Sequence, residues 1–403
     1  MKRCLSAVFS MSLVLVFPLF AGSATTGWRG DATGRYPATT PPLVWSTTNN
    51  VVWNTRLPNF SNATPLLIGK RLLVCSDPAT LMCLDVDSGR ILWQKENGYE
   101  QVLSPVQLEQ ARQVYTNLNA LPKTHNVTGF TSPSPVTDGH RVYVLFGNGV
   151  AASYELDGTL VWARLVERST HQWGQSASPL LVGKTMLVHV LKMTALDVAT
   201  GKTLWATESP ATWGTSVAAR IGSLDVVITP KGDILSLTDG EKLASAVAKL
   251  DYCAPVVEGN RVFFIENGGK AIRLPDVVSK PLKVETLWQT RPAADRYYAS
   301  PVFYKDRLYA VNQKGAFSTI DAATGLVLSE TKLELGGTFY PSVTLAGHTL
   351  FVSSDKGVTA VFDLDESGKE VARNGLEPFR SSPVFDGHRL YIRSLAGVYC
   401  IGR

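Results

Sequence analysis

The chain has 403 residues, with 39 Lys and Arg against 34 Asp and Glu and a formal net charge of +5. Charged residues make up only 18% and apolar residues 45%, which excludes a disordered chain. No Lys/Arg block with interleaved aromatics occurs, which excludes nucleic acid as a partner.

The N-terminus reads as a signal peptide. Lys2 and Arg3 precede an apolar stretch over about 7–20, and small residues at 21–24 fit cleavage after Ala24. The stretch is short for a bilayer span, and no other segment is long and apolar enough, so no membrane span is expected after cleavage. Residues 25–403 are expected to form one exported domain, periplasmic or secreted and monomeric. Cleavage leaves Cys75, Cys83, Cys253 and Cys400. They are read as small buried core residues, with disulfide formation left open.

A strand-like segment, NNVVWNTRLP, follows at 49–58. From about Ala63 onward the chain repeats. One element is a strand, an Asp, a small-hydroxyl-Gly turn and a second strand, as in LMCLDVDSGRILWQKE (81–96), MTALDVATGKTLWATE (193–208) and FSTIDAATGLVLSETK (317–332). The Asp and hydroxyl residue shape the turn, and Gly supplies a positive φ. It is preceded by a second hairpin, as in SPVTDGHRVYVLF (134–146), SPVFYKDRLYAVN (300–312) and SPVFDGHRLYIRS (382–394). The pair gives four short strands in about 40 residues, a spacing typical of propeller blades.

Unit starts fall near Ala63, Ser134, Ser178, Ser216, Ala254, Ser300, Pro341 and Ser382. The reading is an all-β, eight-bladed β-propeller of four-stranded antiparallel blades. The last unit holds only three strands, so the segment at 49–58 is expected to supply its fourth and close the ring. An insertion at about 97–127 separates units one and two. Within it, 104–121 is predicted helical, with Ser104 as N-cap, Pro105 at the first position and an apolar stripe of Leu108, Ala111, Tyr115 and Leu118. Both a cap over the channel and a packing embellishment fit it.

The stretch from Ala195-Leu196-Asp197 through Thr200-Gly201-Lys202-Thr203-Leu204-Trp205 resembles the repeat of pyrroloquinoline quinone (PQQ) propellers. Trp28-Arg29-Gly30 and the Trp45 to Trp53 segment resemble the opening of exported PQQ-like repeat proteins. The resemblance covers about 27–403 and implies the fold more firmly than a function. Its quinoprotein dehydrogenase branch implies PQQ held with calcium by a Glu/Asn/Asp set, a catalytic Asp and often an adjacent-cysteine disulfide. None of these is matched here, and Asp85, Asp197 and Asp321 are accounted for by the turns. Another branch resembles the outer-membrane β-barrel assembly lipoprotein, a protein-binding scaffold, but its lipid-acceptor cysteine is missing.

Trp53, Trp93, Trp162, Trp205 and Trp288 recur at one outer-strand position, which points to wedges between blades. Aligning on the SPV element rings one mouth of the channel with Asn62, Ser132, Ser176, Gly214, Tyr252, Tyr298, Phe339 and Arg380. Trp173, Trp213, Tyr297 and Phe379 flank that ring. Trp173, Trp213, Tyr252, Tyr298, Phe339 and Arg380 are the candidate binding set, suited to a flat ligand, a sugar or a peptide. No catalytic residue is assigned. His125, His171 and His189 lack metal-ligand spacing, so no metal and no cofactor is expected. The expected function is a non-enzymatic binding propeller for a cell-envelope protein or small ligand; the alternative is a PQQ- and calcium-dependent alcohol or sugar dehydrogenase.

Overall fold

The structure is a computed structural model and describes residues 27–115, 117, 118, 120, 128–169, 171–365 and 368–402. The expected signal peptide and His125 lie outside the described residues. Among the described residues, eight antiparallel sheets form in chain order. Seven are continuous in sequence: 66–96, 136–165, 180–207, 217–244, 256–290, 302–332 and 344–375. The eighth comprises Val384–Asp386, Arg389–Arg393 and Gly397–Ile401 with Val51–Arg56 as its outer strand. Trp53 pairs with Cys400 and Asn54 with Tyr399, so the first part of the chain closes the last blade. No helix of the described residues is long and apolar enough to cross a membrane.

One contact recurs between blades. The indole Nε1 of Trp53, Trp93, Trp162, Trp205 and Trp288 donates to a carbonyl of the next blade, on Val86, Leu156, Val198, Leu237 and Ala322, at 2.9–3.1 Å. The ring lies flat on the turn glycine of that next blade: Gly89, Gly158, Gly201, Gly240 or Gly325. All five glycines have φ between +68° and +90°. A Cβ on Gly201 would stand 2.6 Å from the Trp162 ring, so glycine is needed for both the turn and the indole. The turn acids are consumed locally. Asp85, Asp197 and Asp321 accept from the amide and hydroxyl of Ser88, Thr200 and Thr324 at 2.6–2.9 Å. Those hydroxyl bonds hold the three carboxyls below the usual range.

Blade seven carries Ala372 at the tryptophan position, opposite Val361. Trp45 fills that gap from outside the repeat, packing with Phe351 of blade seven and Phe385 and Ile392 of blade eight. Its backbone amide donates to Asn374 Oδ1 at 2.9 Å.

The segment before Trp45 was not assigned a place by the repeat. It runs down the channel. Arg35–Tyr36 pairs parallel with Thr344–Ala346, the innermost strand of blade seven. Arg35 reaches Glu258 of blade five at 2.9 Å. Arg29 is fully buried and donates to the carbonyls of Pro301 and Val343 at 2.7 and 2.9 Å. Burial without a carboxylate partner pulls its guanidinium down to about 10. The channel is thus filled by the chain itself.

The insertion is helical over a shorter span than expected. Helix α1 covers Tyr99–Val102 and α2 covers Pro105–Val114. Ser104 and Gln107 form a capping box. The helix stops short of 121 because Tyr115 turns into extended backbone, where its hydroxyl accepts from the Arg168 amide at 3.1 Å. Leu108 and Ala111 pack on Val150 and Leu165 of blade two. Cys75, Cys83, Cys253 and Cys400 are buried free thiols.

Two outcomes check this architecture. Trp162→Ala lowers stability by about 3–5 kcal/mol and Gly201→Ala by about 1–3 kcal/mol in urea unfolding. The double variant loses less than the sum, because both act on one contact. Arg29→Ala raises hydrogen exchange across 28–36, while amides of the blade cores stay protected.

Candidate binding site at the channel mouth

Each blade's innermost strand leads away from one end of the ring, and the residues before it form the mouth. A hydrogen-bonded hoop sets the geometry there. The backbone amide of one blade donates to a hydroxyl of the next: Thr64 to Ser134, Ser134 to Ser178 and Ser178 to Thr215, at 2.9–3.0 Å. It continues from Ala254 to Ser300, Ser342, Ser382 and back to Thr64, at 3.0–3.2 Å. The serine of the SPV element is therefore a bolt between blades. Ala254 offers no hydroxyl to blade four.

The residue two positions before each bolt faces the mouth. In blade order these are Asn62, Ser132, Ser176, Trp213, Tyr252, Tyr298, Tyr340 and Arg380, and all eight line one cavity of about 410 Å³. Two expected positions are corrected by this register. Gly214 lines the wall, but Trp213 occupies the equivalent place. Phe339 is 1% exposed and its ring lies beneath Gly315. The slip arose because the seventh unit reads Tyr-Pro-Ser-Val, so its serine, Ser342, follows the proline; Tyr340 takes the wall position. Trp173, Trp213, Tyr252, Tyr298 and Arg380 line the same cavity. Tyr297 and Phe379 are fully buried behind it.

The aromatics form a continuous arc. Trp213 stacks on Tyr252 with centroids 5.4 Å apart and planes at 15°. Tyr252 meets Tyr298 edge-on at 5.0 Å, and Tyr298 stacks on Tyr340 at 4.8 Å. Arg380 lies 4.4 Å over Tyr340 at one end, and His171 meets Trp213 edge-on at 4.9 Å at the other. Arg296 lies 5.7 Å over Tyr252 and donates to the Tyr298 hydroxyl at 3.3 Å. Burial pushes the phenols of Tyr252 and Tyr340 up. Opposite the arc the wall is hydroxyl and amide: Asn62, Thr128, Ser132 and Ser176. Trp28 of the channel segment also contributes.

The arc is held from behind. Glu266 accepts the backbone amides of Asp251, Tyr252 and Cys253 at 2.7–3.0 Å, which fixes the loop presenting Tyr252 where blade five lacks its bolt. Burial pushes its carboxyl up, against the pull of those three donors. Asp355 sits 3.9 Å from the Arg380 guanidinium.

Several wall residues were not legible as site residues. Tyr340 could have been found from the spacing to Ser342. Arg296 stands two residues before Tyr298 on the same loop. Trp28 and Thr128 reach the wall from a channel segment and an insertion that no repeat spacing places. Among the described residues of α1 and α2, none lines the mouth; the helices flank it.

A calcium-held quinone does not fit this wall. No carboxylate lines the cavity, and two guanidiniums do. Among the described residues no group of three His, Cys, Asp or Glu could hold a metal ion. His189 is buried, with Nε2 on the Ser209 carbonyl at 3.1 Å. His171 serves the aromatic arc.

A family model described as outer membrane protein assembly factor BamB matches residues 44–235 and 226–403. No curated protein matches the chain. Among solved structures, BamB from Moraxella catarrhalis is similar at 14% identity and TM-score 0.62, over 87% of this chain and 96% of that one. A europium-containing methanol dehydrogenase is similar at 14% identity and TM-score 0.60, over 91% and 88%. The quinohemoprotein alcohol dehydrogenase from Comamonas testosteroni is similar at 11% identity and TM-score 0.61, over 87% and 76%. At these identities the likeness shows the fold.

Adding a hydroxyl where the hoop lacks one has a defined expected effect. Ala254→Ser gives the blade-four amide an acceptor and raises stability by about 0.5–1.5 kcal/mol, whereas Ser342→Ala lowers it by a similar amount. Thermal unfolding of the two variants measures both.

Proposed function

The chain belongs to the PQQ-like repeat propellers, the family of the outer membrane protein assembly factor BamB model, and from that premise we propose that it is a non-enzymatic exported binding propeller that takes its ligand or partner at the mouth. The wall chemistry carries this reading. Proton transfer in catalysis calls on a carboxylate, imidazole or comparable group placed at the reacting atoms. This cavity offers aromatics, hydroxyls, an amide and two guanidiniums, and neither a carboxylate nor an imidazole. Such a wall recognises by stacking, hydrogen bonding and charge. The acids that mark the repeat are spent on turns at the opposite end of the blades. The relative BamB supports a protein partner, and the dehydrogenase relatives carry the competing reading.

Two measurements test the proposal. Purified protein given PQQ and calcium reduces no redox dye above a protein-free control, across alcohols and aldoses; turnover would sink the binding reading. A photo-crosslinking amino acid at position 296 yields adducts with envelope components, whereas one at the exposed position 277 yields none. Equal adducts from both positions would remove the mouth as the binding surface.

A further inference from the structure

We propose that the mouth takes a carboxylate-bearing saccharide of more than one ring. One pyranose lies on the aromatic arc with its carboxylate toward Arg296 and Arg380, and the next passes over Trp213 into the groove between blades three and four. The inference rests on the mouth being a binding site and names what it binds. Three observations carry it.

The first is what the wall omits. No Leu, Ile, Val or Met side chain lines the mouth. A pocket for an acyl chain or an apolar peptide anchor is built of such residues. Here the apolar surface is all aromatic and the remainder is hydroxyl, amide and guanidinium. A pyranose matches that division. Its C–H face carries positive edges that sit on the negative faces of Trp and Tyr rings, and its hydroxyls both donate and accept. Asn62, Ser132 and Ser176, across from the arc, do the same.

The second is charge. Two guanidiniums reach the cavity and no wall carboxylate answers them. Asp355 approaches Arg380 from outside the wall, at 3.9 Å, and Asp251 pairs with Lys231. A guanidinium is planar and presents paired donors, which suits a planar carboxylate. Arg380 and Arg296 are each also laid over a tyrosine ring, which fixes the plane in which those donors point.

The third is extent. A second cavity of about 600 Å³ adjoins the mouth and shares Trp213 with it. His171, Gln175, Leu191 and Thr212 line it. Trp173, 46% exposed, belongs to the mouth side of the same loop. A ligand confined to one ring would leave this continuation and its aromatic unused.

Isothermal titration of the full chain provides the test, with trigalacturonate and trimannuronate as probes, their neutral counterparts galactotriose and mannotriose, and monomeric galacturonate. At least one acidic trimer binds, about tenfold or more tighter than its neutral counterpart, and raised salt narrows the gap. Arg380→Gln and, separately, the exposed Arg296→Gln each weaken the acidic trimer by about tenfold and leave the neutral one unchanged. Trp213→Ala removes the advantage of trimer over monomer. Equal affinity for acidic and neutral sugars would overturn the role given to the arginines, and a monomer as tight as the trimer would overturn the groove. If no saccharide binds while position 296 still crosslinks to a protein, the ligand class is wrong and the mouth survives. If neither occurs, both fall.

Discussion

The indole lying on a glycine of the neighbouring blade is the contact on which the ring depends. A four-stranded sheet in this chain has two apolar faces and cannot bury either alone. Five tryptophans supply a wide flat surface, and five glycines at positive φ supply turns with no Cβ to hold that surface off. The Nε1–H bond to the next blade then fixes rotation as well as distance. Where the repeat lacks the tryptophan, other residues complete the seam. Trp45 enters between blades seven and eight, and Phe317 stacks on Phe362 between blades six and seven at 5.2 Å.

Closure of the ring creates a site that no blade contains. The hydroxyl hoop draws the inner ends of the blades together, and each bolt residue carries one side chain into a shared mouth. The chain's own N-terminal segment fills the channel below, anchored by Arg29 on backbone carbonyls and by a strand on blade seven. The result is a blind cavity with a shaped floor. Its two halves differ because successive blades place Trp, Tyr, Tyr, Tyr and Arg on one side and Asn, Ser and Ser on the other. A site assembled in this way can change its ligand by one substitution per blade without disturbing the seams, since bolts, wedges and wall residues occupy different positions in the repeat.

The repeat made the architecture readable because its spacing is local. A turn, two strands and an indole at a fixed offset need only neighbours in sequence, so blade number, the role of the tryptophans and closure by the strand around Trp53 followed from the chain. The site was half readable for the same reason. Tyr252, Tyr298 and Arg380 stand at a fixed offset from the SPV element. Phe339 was misplaced because the serine that sets the register lies one residue later in the seventh unit, and only the hydrogen bond from the Ser300 amide to Ser342 reveals that.

The sequence by itself determined the ring, its eight units and its last strand, since these rest on interactions spanning a single repeat or its edge. Tertiary structure alone decided that 27–36 descends the channel, that Trp28, Thr128 and Arg296 reach the mouth, and that the aromatics join into one arc. Those placements depend on distances between blades far apart in sequence, which no local spacing encodes.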